Sequence, residues 1–377
     1  MKIVVNTRLL LKDKLEGIGW FAYETLKRIT TSYPEHQFYF IFDRRYHKDF
    51  IFSDNIYPII AFPPTRHPYL TEFYFNYVVP SIVKKLKPDL FFSPDGWIPT
   101  KINVPIVNVI HDLNFEHFPE FLPKASIKHY KKCFPQYAKR SDRIITVSNY
   151  TKNDLVKTYN IEPDKIDVAY NGVNPIYTPI DEVEKRIIKA QYSEGKDYFI
   201  FVSSIHPRKN LENTLKAFFE FKKETASDIK FIIVGTFMFK SKELLQIYNS
   251  SPYNKDVIFL GYVKIDLLHK LLASALALTY ISFFEGFGIP IVEAMSCGTA
   301  VITSNTTSMP EVAGDSAILV SPKDVKRIKE AMKKIWIDKE YRGKLVEKGL
   351  LRSKDFSWDK TAKILWNSIN NLTNNIL

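Results

Sequence analysis

The sequence is poor in cysteine, in glycine and in long apolar runs. Its two cysteines, Cys133 and Cys297, cannot hold 377 residues together by disulfides, and neither has a second Cys or His at the spacing of a metal site. With 13 glycines and 21 prolines, the composition is not that of a fibrous or disordered chain. The longest nearly apolar stretch, LLASALALTYISFF at 271–284, is shorter than the ~20 residues that cross a bilayer. These absences predict a cytoplasmic protein without a membrane-spanning helix, as does an N-terminus, MKIVVNTRLL, that lacks the apolar core and cleavage site of a signal peptide.

Short apolar runs alternate with amphipathic stretches along both halves of the chain. Buried strands joined by crossover helices predict parallel sheets, and 377 residues suit two domains. We therefore predict an α/β fold of two Rossmann-like, doubly wound domains that face each other across a cleft. The first would span 1–176 and the second 177–358, and a final helix at 359–377 would pack back on the first. The predicted strands lie at 2–6, 37–42, 90–94, 105–112, 143–148, 198–204, 229–235, 257–262, 275–282, 299–304 and 317–321.

The stretch FFEGFGIPIVEAM at 283–295 carries two glutamates, Glu285 and Glu293, on either side of a glycine-containing turn. Pro290 suits the first helical position and Gly298 the residue just past a helix end. The pattern predicts a helix of about two turns that begins at the carboxyl end of a strand. The unpaired N–H groups and the dipole of such a helix favour a phosphate. Glu293 would lie in the first turn of this helix, so both carboxylates would reach the ligand side.

This stretch alone leaves other interpretations of the two glutamates open. Glu285 could cap the turn while Glu293 satisfies the helix N-terminus, or the pair could be a glycosidase-like acid and base, which their separation would decide. The turn HPRKNL at 206–211 favours a ligand site, because it follows a strand and directs Arg208 and Lys209 to the same sheet edge. Carboxylates for hydroxyls and cations for negative charge together suit a sugar linked to a diphosphate.

In these and other motifs the sequence resembles the retaining glycosyltransferases of family 4, the group 1 glycosyltransferases, and most of all their mannosyl- or related hexosyltransferases. The resemblance extends over nearly the whole chain and implies the GT-B fold of two Rossmann-like domains. The motifs that carry it are GIGWFAYETL (17–26), VIHDLNFEHFPE (109–120), TVSNYTKNDL (146–155), VAYNGVN (168–174), PRKNL (207–211), FLGYV (259–263), EGFGIPIVEAMSCGTAVITSN (285–305), MPEVAGDSA (309–317) and FSW (356–358).

The resemblance implies a role for each residue around the two glutamates. Glu285 matches the glutamate that contacts the transferred sugar, and Glu293 matches the one that holds the nucleotide ribose. Lys209 matches the phosphate-binding lysine of the family. Many members have an arginine where Ser204 stands here, so we expect Arg208 to supply that second positive charge.

The first domain contributes a histidine and a glycine-containing loop to the implied site. His111, in the strand-end motif HDL, matches the active-site histidine that faces the donor sugar, whereas a lone histidine would more simply be a neutral core residue. Gly17 and Gly19 would lie in the first strand-to-helix loop, where the family brings backbone close to the donor phosphates or the acceptor. The catalytic residues implied are His111, Lys209 and Glu285. The donor-binding residues implied are Gly17, Gly19, Arg208, Lys209, Val263, Gly286, Phe287, Gly288 and Glu293.

GIGWFA also fits the GxGxxA pattern of a dinucleotide-binding domain, with Asp43 where an acid would bind the ribose. That fingerprint needs its turn directly after the strand, but about ten residues separate Asn6 from Gly17. The spacing therefore disfavours a dehydrogenase.

The implied reaction moves a hexose, with mannose favoured, from a nucleoside-diphosphate sugar to a hydroxyl of a glycan or lipid-linked acceptor. The configuration is retained, and the product belongs to polysaccharide or glycolipid biosynthesis. No cofactor or metal is implied, because Lys209, Arg208 and the helix N-terminus would stabilise the departing diphosphate. A sugar phosphorylase, a synthase of a soluble disaccharide and a catalytically silent nucleotide-sugar-binding subunit stay open as alternatives.

A basic segment stands out in the first domain of a chain whose net charge is +12. Residues 124–143 contain seven Lys or Arg and one Asp, and Pro135 would kink or end the helix predicted there. With the aromatic run YLTEFYFNYVV at 69–79, this helix could meet anionic lipid headgroups or a lipid-linked acceptor at the inner face of the cell membrane. A solvated lysine face is the alternative, and no nucleic acid is expected because no binding module for it is present. The lysines that would share one helix face are Lys124, Lys128, Lys131 and Lys132.

Overall fold

The computed structural model describes residues 1–65, 67–237 and 242–374, which fall into two compact units. The first unit consists of Met1–Gly172 together with the C-terminal segment that starts at Ser357, and the second unit is Val173–Phe356. The chain therefore leaves the first unit after residue 172, whereas the sequence places this boundary at 176. Residues 375–377, the end of the predicted last helix, lie outside the described residues.

The first unit is built on a parallel sheet, and helices connect its strands along the chain. Its described strands are β1 (Lys2–Asn6), β2 (Gln37–Phe42), β3 (Ile56–Ile60), β4 (Leu90–Ser93), β5 (Ile106–Ile110), β6 (Arg143–Thr146) and β7 (Ile166–Val168). They lie in the order β3-β2-β1-β4-β5-β6-β7, and all neighbours are parallel. The helices are α1 (Gly17–Ser32), α2 (Pro68–Phe73), α3 (Val79–Leu86), α4 (Asn114–His117), α5 (Lys124–Arg140) and α6 (Asn149–Tyr159), with a π-helical segment (Tyr74–Val78) between α2 and α3.

The second unit repeats this plan with a parallel sheet of its own. Its described strands are β8 (Tyr198–Val202), β9 (Lys230–Val234), β10 (Val257–Gly261), β11 (Ala277–Tyr280), β12 (Ala300–Ser304) and β13 (Ile318–Val320). They lie in the order β10-β9-β8-β11-β12-β13. The helices are α7 (Glu182–Ser193), α8 (Leu211–Thr225), α9 (Lys242–Ser250), α10 (Ile265–Ser274), α11 (Ile289–Ser296), α12 (Met309–Ala313), α13 (Val325–Ile337) and α14 (Lys339–Ser353), after which the chain returns to the first unit as α15 (Trp358–Asn374).

The predicted pair of parallel α/β sheets is confirmed, because apolar strands are covered on both faces. Every residue of β4, β5, β8, β9, β11 and β12 is buried, as expected for central strands of such sheets. Two strands escaped the prediction, β3 and β7, and both lie at an edge of the first sheet. β3 contains Pro58, which edge strands tolerate, and β7 is only three residues long, so neither has the apolar run that marks a central strand.

The sheet orders mark two places where ligands of doubly wound folds bind. In each sheet the chain first builds outward on one side of a central strand and then crosses to its other side. This change of direction falls between β1 and β4 in the first unit and between β8 and β11 in the second. Ligands bind beyond the carboxyl ends of the strands at such switch points.

Helix α5 extends past the proline at which the sequence predicts a kink or an end. Helix α5 does not end at Pro135 but continues to Arg140, because Phe134, Tyr137 and Ala138 are buried against the core and offset the backbone bond that proline cannot make. In the described part of the chain, no helix is both long enough and apolar enough to cross a membrane.

Candidate functional site

The turn after β8 is fastened to the end of β11. Pro207–Lys209 form a 3-10 turn, in which the Nδ1 atom of His206 accepts a bond from the backbone N–H of Arg208. The backbone N–H of Phe283 donates to the carbonyl of Arg208 at 2.9 Å. Asn210 donates from its side chain to the carbonyl of Ile281 at 3.0 Å. The switch point of the second sheet thus holds Arg208 and Lys209 beside the segment that leads to Glu285.

Glu285 accepts from both cations. Its Oε1 atom lies 2.6 Å from Nζ of Lys209, and its Oε2 atom lies 3.0 Å from Nη1 of Arg208. Arg208 also donates to the carbonyl of Phe284. Burial by itself raises the pKa of the Glu285 carboxyl, but the charges of Arg208 and Lys209 outweigh it and lower this pKa to about 2. Glu285 is therefore ionised at any physiological pH.

Tyr280, the last residue of β11, completes this cluster and was not singled out from the sequence. Its hydroxyl oxygen accepts from Nζ of Lys209 at 2.9 Å, and the same Nζ lies 5.2 Å from the ring centroid. Burial, followed by the charge of Glu285, raises the pKa of the Tyr280 hydroxyl well above its usual value. No sequence signal marks this residue, because a tyrosine in a buried strand is ordinary.

The turn between Glu285 and helix α11 is held by the loop after β12. The hydroxyl of Ser308 donates to the carbonyls of Glu285 and Phe287 at 2.9 and 3.1 Å, and Oγ1 of Thr307 accepts from the N–H of Glu285. Gly288 precedes the helix with φ at +91°, and a Cβ there would lie 3.3 Å from the Tyr280 ring. Glycine is needed at this position for both reasons.

Glu293 has a different environment from Glu285. It lies in the second turn of α11, not in the first as predicted, because the helix begins at Ile289. Desolvation raises the pKa of the Glu293 carboxyl to about 7, although a hydrogen bond from the Tyr177 hydroxyl lowers it in part. The two glutamates therefore have separate partners, and only Glu285 is ion-paired with Arg208 and Lys209.

The histidine predicted for the site lies in the first unit, just beyond β5. The Nε2–H of His111 donates to the carbonyl of Pro94 at 2.8 Å, and Phe21 packs edge-on against its ring. Burial lowers the pKa of His111, so its imidazole is neutral. Gly17 and Gly19 belong to the first turn of α1 rather than to the preceding loop, and a Cβ on Gly19 would lie 3.1 Å from the carbonyl oxygen of Leu9.

Two family models match the chain in succession. The model described as Glycosyltransferase Family 4 matches residues 16–176, and the one described as Glycosyl transferases group 1 matches residues 183–352. The chain belongs to the group 1 glycosyltransferases. The family and the enzyme class predicted from the sequence are thereby confirmed.

This glycosyltransferase is similar to other proteins along most of its length. The O-antigen chain mannosyltransferase B of Escherichia coli is 27% identical over 372 residues, which are 95% of this chain and 97% of that protein. The O-antigen chain mannosyltransferase RfbU of Salmonella typhimurium is 32% identical over 227 residues, which are 60% of this chain and 59% of that one. The crystal structure of HepE from Anabaena in complex with UDP-glucose has a TM-score of 0.77 at 17% identity and covers 98% of this chain and 100% of its own. That structural likeness confirms the predicted GT-B fold class.

The remaining residues predicted for this glycosyltransferase are Val263 and four lysines of α5. Val263 follows β10 and precedes α10, on the carboxyl side of the second sheet. The four lysines of α5 that the sequence places on one face are exposed, but two of them are paired with carboxylates, Lys131 with Glu116 at 3.3 Å and Lys132 with Glu72 at 2.9 Å. The exposed positive charge of this helix is therefore smaller than its sequence suggests.

A metal site was not predicted, and the described residues contain no group of three or more His, Cys, Asp or Glu side chains that could hold an ion. The second unit instead concentrates two cations, one carboxylate and one phenol at its switch point. Such a cluster can bind a diphosphate and hydroxyl groups at once.

Proposed function

We propose that this glycosyltransferase transfers mannose from a nucleoside-diphosphate sugar to a hydroxyl of a glycan or lipid-linked acceptor, with retention of configuration, in polysaccharide or glycolipid biosynthesis. The observation that carries the proposal is the Lys209–Glu285–Arg208 cluster before helix α11. The proposal is supported by the similarity to an O-antigen chain mannosyltransferase over nearly the full length of both proteins. HepE, which shares the fold, was solved with UDP-glucose.

The charge of the cluster suits a diphosphate. Lys209 and Arg208 together carry one more charge than Glu285 neutralises, and the N-terminus of α11 adds the positive end of its dipole. Oxygens of the donor diphosphate would share these cations with Glu285. Because Glu285 is ionised, it can only accept hydrogen bonds, which suits a role toward hydroxyls of the transferred sugar.

The proposed reaction needs no residue as nucleophile. The acceptor hydroxyl oxygen bonds to the anomeric carbon while the bond from that carbon to the diphosphate oxygen breaks, on the same face of the sugar. The acceptor proton passes to an oxygen of the leaving diphosphate. Lys209 and Arg208 stabilise the charge that develops there, so we also propose that the reaction requires no metal.

Two further residues keep the roles that the family resemblance gives them as part of this proposal. Glu293 would hold the nucleotide ribose, and Tyr177, which donates to its carboxylate, would orient it. His111 would act toward the donor sugar as a neutral imidazole, because its Nε2–H is held by Pro94 and its Nδ1 atom can accept.

A nucleotide screen tests the proposed donor site. We expect GDP, UDP, ADP or TDP to raise the melting temperature, because a ligand that binds only the folded state stabilises it by mass action. Lys209→Ala should abolish that shift, whereas Lys348→Ala, which breaks an exposed pair with Asp315, should leave it intact. A flat response of the wild-type protein to all four nucleotides would contradict the donor site.

Transfer itself distinguishes the alternatives that the sequence left open. We expect free nucleoside diphosphate to be released when a sugar donor and a mannose oligosaccharide are supplied together, with the same anomeric configuration in product and donor by NMR. A silent binding subunit would show the thermal shift without release. A phosphorylase would instead consume inorganic phosphate and show no preference for a nucleotide. Full activity in the presence of EDTA is expected, and its loss would contradict metal independence.

We also infer that the first unit docks on an anionic membrane surface, at the inner face of the cell membrane. Helix α2 and the π-helical segment expose Tyr69 and Tyr77, at 77% and 62% of their full accessibility, and Phe73 is half exposed. Contiguous exposed aromatics of this kind are unusual on a surface that meets only water. The Glu72–Lys132 pair joins them to the lysine face of α5, so apolar rings and positive charge share one surface.

Vesicle binding tests the docking surface. Binding to phosphatidylcholine vesicles should rise when phosphatidylglycerol is added, since each lysine near an anionic surface contributes about 1 kcal/mol. The double substitution of Lys124 and Lys128 by Gln should weaken binding more than the same change at Lys131 and Lys132, whose charges are already paired. Equal effects of the two double variants would contradict the proposed surface.

The aromatic part of this surface has its own matched control. Tyr69→Ser is expected to weaken vesicle binding, whereas Tyr262→Ser, which removes an equally exposed ring (75%) from the second unit, should not. If the two variants bind vesicles equally well, the exposed aromatic rings do not contribute to docking.

A further inference from the structure

The switch point of the first sheet holds a polar cluster to which the sequence assigned no role. Arg8 lies just beyond β1, and Asp95 lies just beyond β4, the strand next to β1 in the sheet. This is the place in a doubly wound sheet where ligands bind. It is also next to His111, whose ring donates to the carbonyl of Pro94.

Asp95 is fixed so that it orients Arg8. Its Oδ2 atom accepts from Nε of Arg8 at 2.6 Å, while its Oδ1 atom accepts from the Asn6 side chain at 2.8 Å and from the N–H of Trp97 at 3.2 Å. The guanidinium also lies 5.3 Å from the Trp97 ring centroid. Both oxygens of Asp95 accept hydrogen bonds and its side chain is only 2% accessible, whereas the Arg8 side chain is 12% accessible and reaches the surface.

A second arginine is held by a buried aspartate beside the first. Nε and Nη2 of Arg44 donate to the two oxygens of Asp43 at 2.6 and 2.7 Å. Thr65 donates its hydroxyl and its N–H to Asp43, and its hydroxyl oxygen accepts from Nη1 of Arg8 at 3.4 Å. Two guanidinium forks, each neutralised and oriented by a buried carboxylate, therefore belong to one network.

The network leaves hydrogen-bonding capacity unused. In the part of the chain that the structure describes, the Nη2 atom of Arg8 and the Nη1 atom of Arg44 have no hydrogen-bond partner. The hydroxyl of Tyr74 is buried and likewise unpartnered among the described residues. Burial, followed by the nearby charge of Asp43, raises the pKa of that hydroxyl, and the charges of Arg8 and Asp95 also act on it. Buried polar groups such as the Tyr74 hydroxyl seldom stay unpaired. Together with the N–H groups of Arg8 and Arg44, whose side chains are 12% and 23% accessible, this hydroxyl points to a bound ligand.

We propose that Arg8 and Arg44 bind hydroxyl groups of the saccharide acceptor, with Asp95 and Asp43 as positioning residues. This inference rests on the proposed function. The two arginines and the two aspartates sum to zero charge, so the network offers oriented N–H donors to neutral hydroxyls without attracting an anion in particular. Its place beside His111 puts the acceptor next to a residue predicted to act on the donor sugar.

The test compares two arginine–aspartate pairs that share a short contact between Nε and Oδ2. Arg8→Lys keeps the charge beside Asp95 but removes the planar fork. Arg143→Lys makes the same change at the amino end of β6. There Nε of Arg143 donates to Oδ2 of Asp167, also at 2.6 Å. A groove lies beside that second pair, lined by Asp142, Arg143, Asp167, Asn367, Ser368 and Asn371, so the control also tests a rival location.

With α-linked mannobiose as the acceptor, we expect Arg8→Lys to lower kcat/KM for the acceptor by about ten- to hundred-fold, mainly through KM. Nucleotide-induced thermal shifts and donor hydrolysis without acceptor should stay within about twofold of wild type, because the donor residues are untouched. Arg143→Lys should leave all three measurements unchanged. An unchanged acceptor KM in Arg8→Lys, or an equal rise in Arg143→Lys, would overturn the assignment.

Saccharide binding without turnover separates this inference from the proposed function. Saturation-transfer NMR should detect mannobiose on the wild-type protein and a weaker signal on Arg8→Lys and Arg44→Lys, even if no donor is ever turned over. If the wild-type protein shows no signal, or if mannose 6-phosphate binds much more strongly than mannose, the neutral-hydroxyl site is wrong. If transfer fails but mannobiose binding depends on Arg8, the proposed function falls and the saccharide site stands.

Discussion

At the scale of single residues, the main feature of the second unit is one carboxylate that pairs with two cations. Glu285 is ionised because it pairs with Lys209 and Arg208, which lower the pKa of its carboxyl. These ion pairs stabilise the fold at pH values above the ordinary carboxyl pKa of 4.5. That contribution is lost as pH falls from about 4.5 towards about 2. A donor diphosphate would compete for the same cations, so ligand binding and stability depend on the same contacts.

Tyr280 is expected to position Lys209 rather than to touch the reacting atoms. Tyr280→Phe removes the oxygen that accepts from Nζ of Lys209, and we expect kcat to fall about tenfold and the nucleotide-induced thermal shift to shrink. Tyr198, in the neighbouring strand β8, offers the matched control Tyr198→Phe, because its buried hydroxyl donates to the carbonyl of Leu271 at 2.6 Å. Both variants should lose about 1 kcal/mol of stability. If their activities are equally reduced, Tyr280 has only a structural role.

Glu293 is expected to reduce the stability of the unliganded protein as pH rises. Its folded pKa of about 7 lies above the ordinary 4.5, so the native state keeps a proton that the unfolded chain loses between these values. Stability therefore falls over this window and stays lower above it. Glu293→Gln should remove this part of the pH dependence, giving a smaller difference in melting temperature between about pH 5 and about pH 8, while nucleotide binding weakens. Equal differences in variant and wild type would contradict the assignment.

At the scale of elements, the first unit is completed by a helix from the far end of the chain. The hydroxyl of Thr361 in α15 donates to the carbonyl of Tyr170, and a Cβ on Gly172 would lie 2.1 Å from the backbone nitrogen of Trp358. The segments by which the chain leaves and re-enters this unit thus lie in direct contact. Only glycine allows that approach, which explains its place in the motif VAYNGVN.

The packing of α15 should be measurable at Trp366. This buried ring stacks on Tyr33, the residue that follows α1, with centroids 3.9 Å apart. Trp366→Ala is expected to lower the free energy of unfolding of the first unit by about 3–5 kcal/mol, because it leaves a cavity between two helices. Trp20→Ala removes an exposed tryptophan from the same helix α1 and should cost far less in urea denaturation. A similar cost for both would mean that α15 contributes little to this core.

At the scale of the whole molecule, the two units differ in how the chain builds them. The second unit is one continuous segment with its own apolar core, whereas the first needs two separated segments. Most of the residues proposed to bind the donor, among them Arg208, Lys209 and Glu293, fall in the continuous one, although Gly17 and Gly19 lie in the first unit. Donor binding should therefore be separable from the rest of the protein.

A fragment spanning Val173–Phe356 is expected to fold and to bind the same nucleoside diphosphate as the whole chain. Circular dichroism would check its folding, and the thermal-shift screen its binding. A fragment of residues 1–172 should be much less stable, because it lacks α15. If the continuous fragment folds but no nucleotide shifts its melting temperature, while the whole chain responds, the donor site requires the first unit.

The central strands and the family could be predicted from the sequence because both depend on local patterns. Apolar runs mark β1, β8 and β11, and motifs such as EGFGIPIVEAM keep their spacing along the chain. The edge strands β3 and β7 lack such runs, and the helix position of Glu293 depended on where α11 begins. Element ends are decided by packing around them, which a local pattern does not contain.

The sequence by itself determined the two parallel sheets and the glycosyltransferase family, and it predicted Glu285 and Lys209 as site residues. Only the tertiary structure decided which groups surround them. Arg8 and Asp95 are 87 residues apart, and Lys209 and Tyr280 are 71 apart, yet each pair is in hydrogen-bond contact. The physical reason is that strands neighbouring in a parallel sheet come from distant parts of the chain, so their carboxyl ends bring together residues that no local spacing relates.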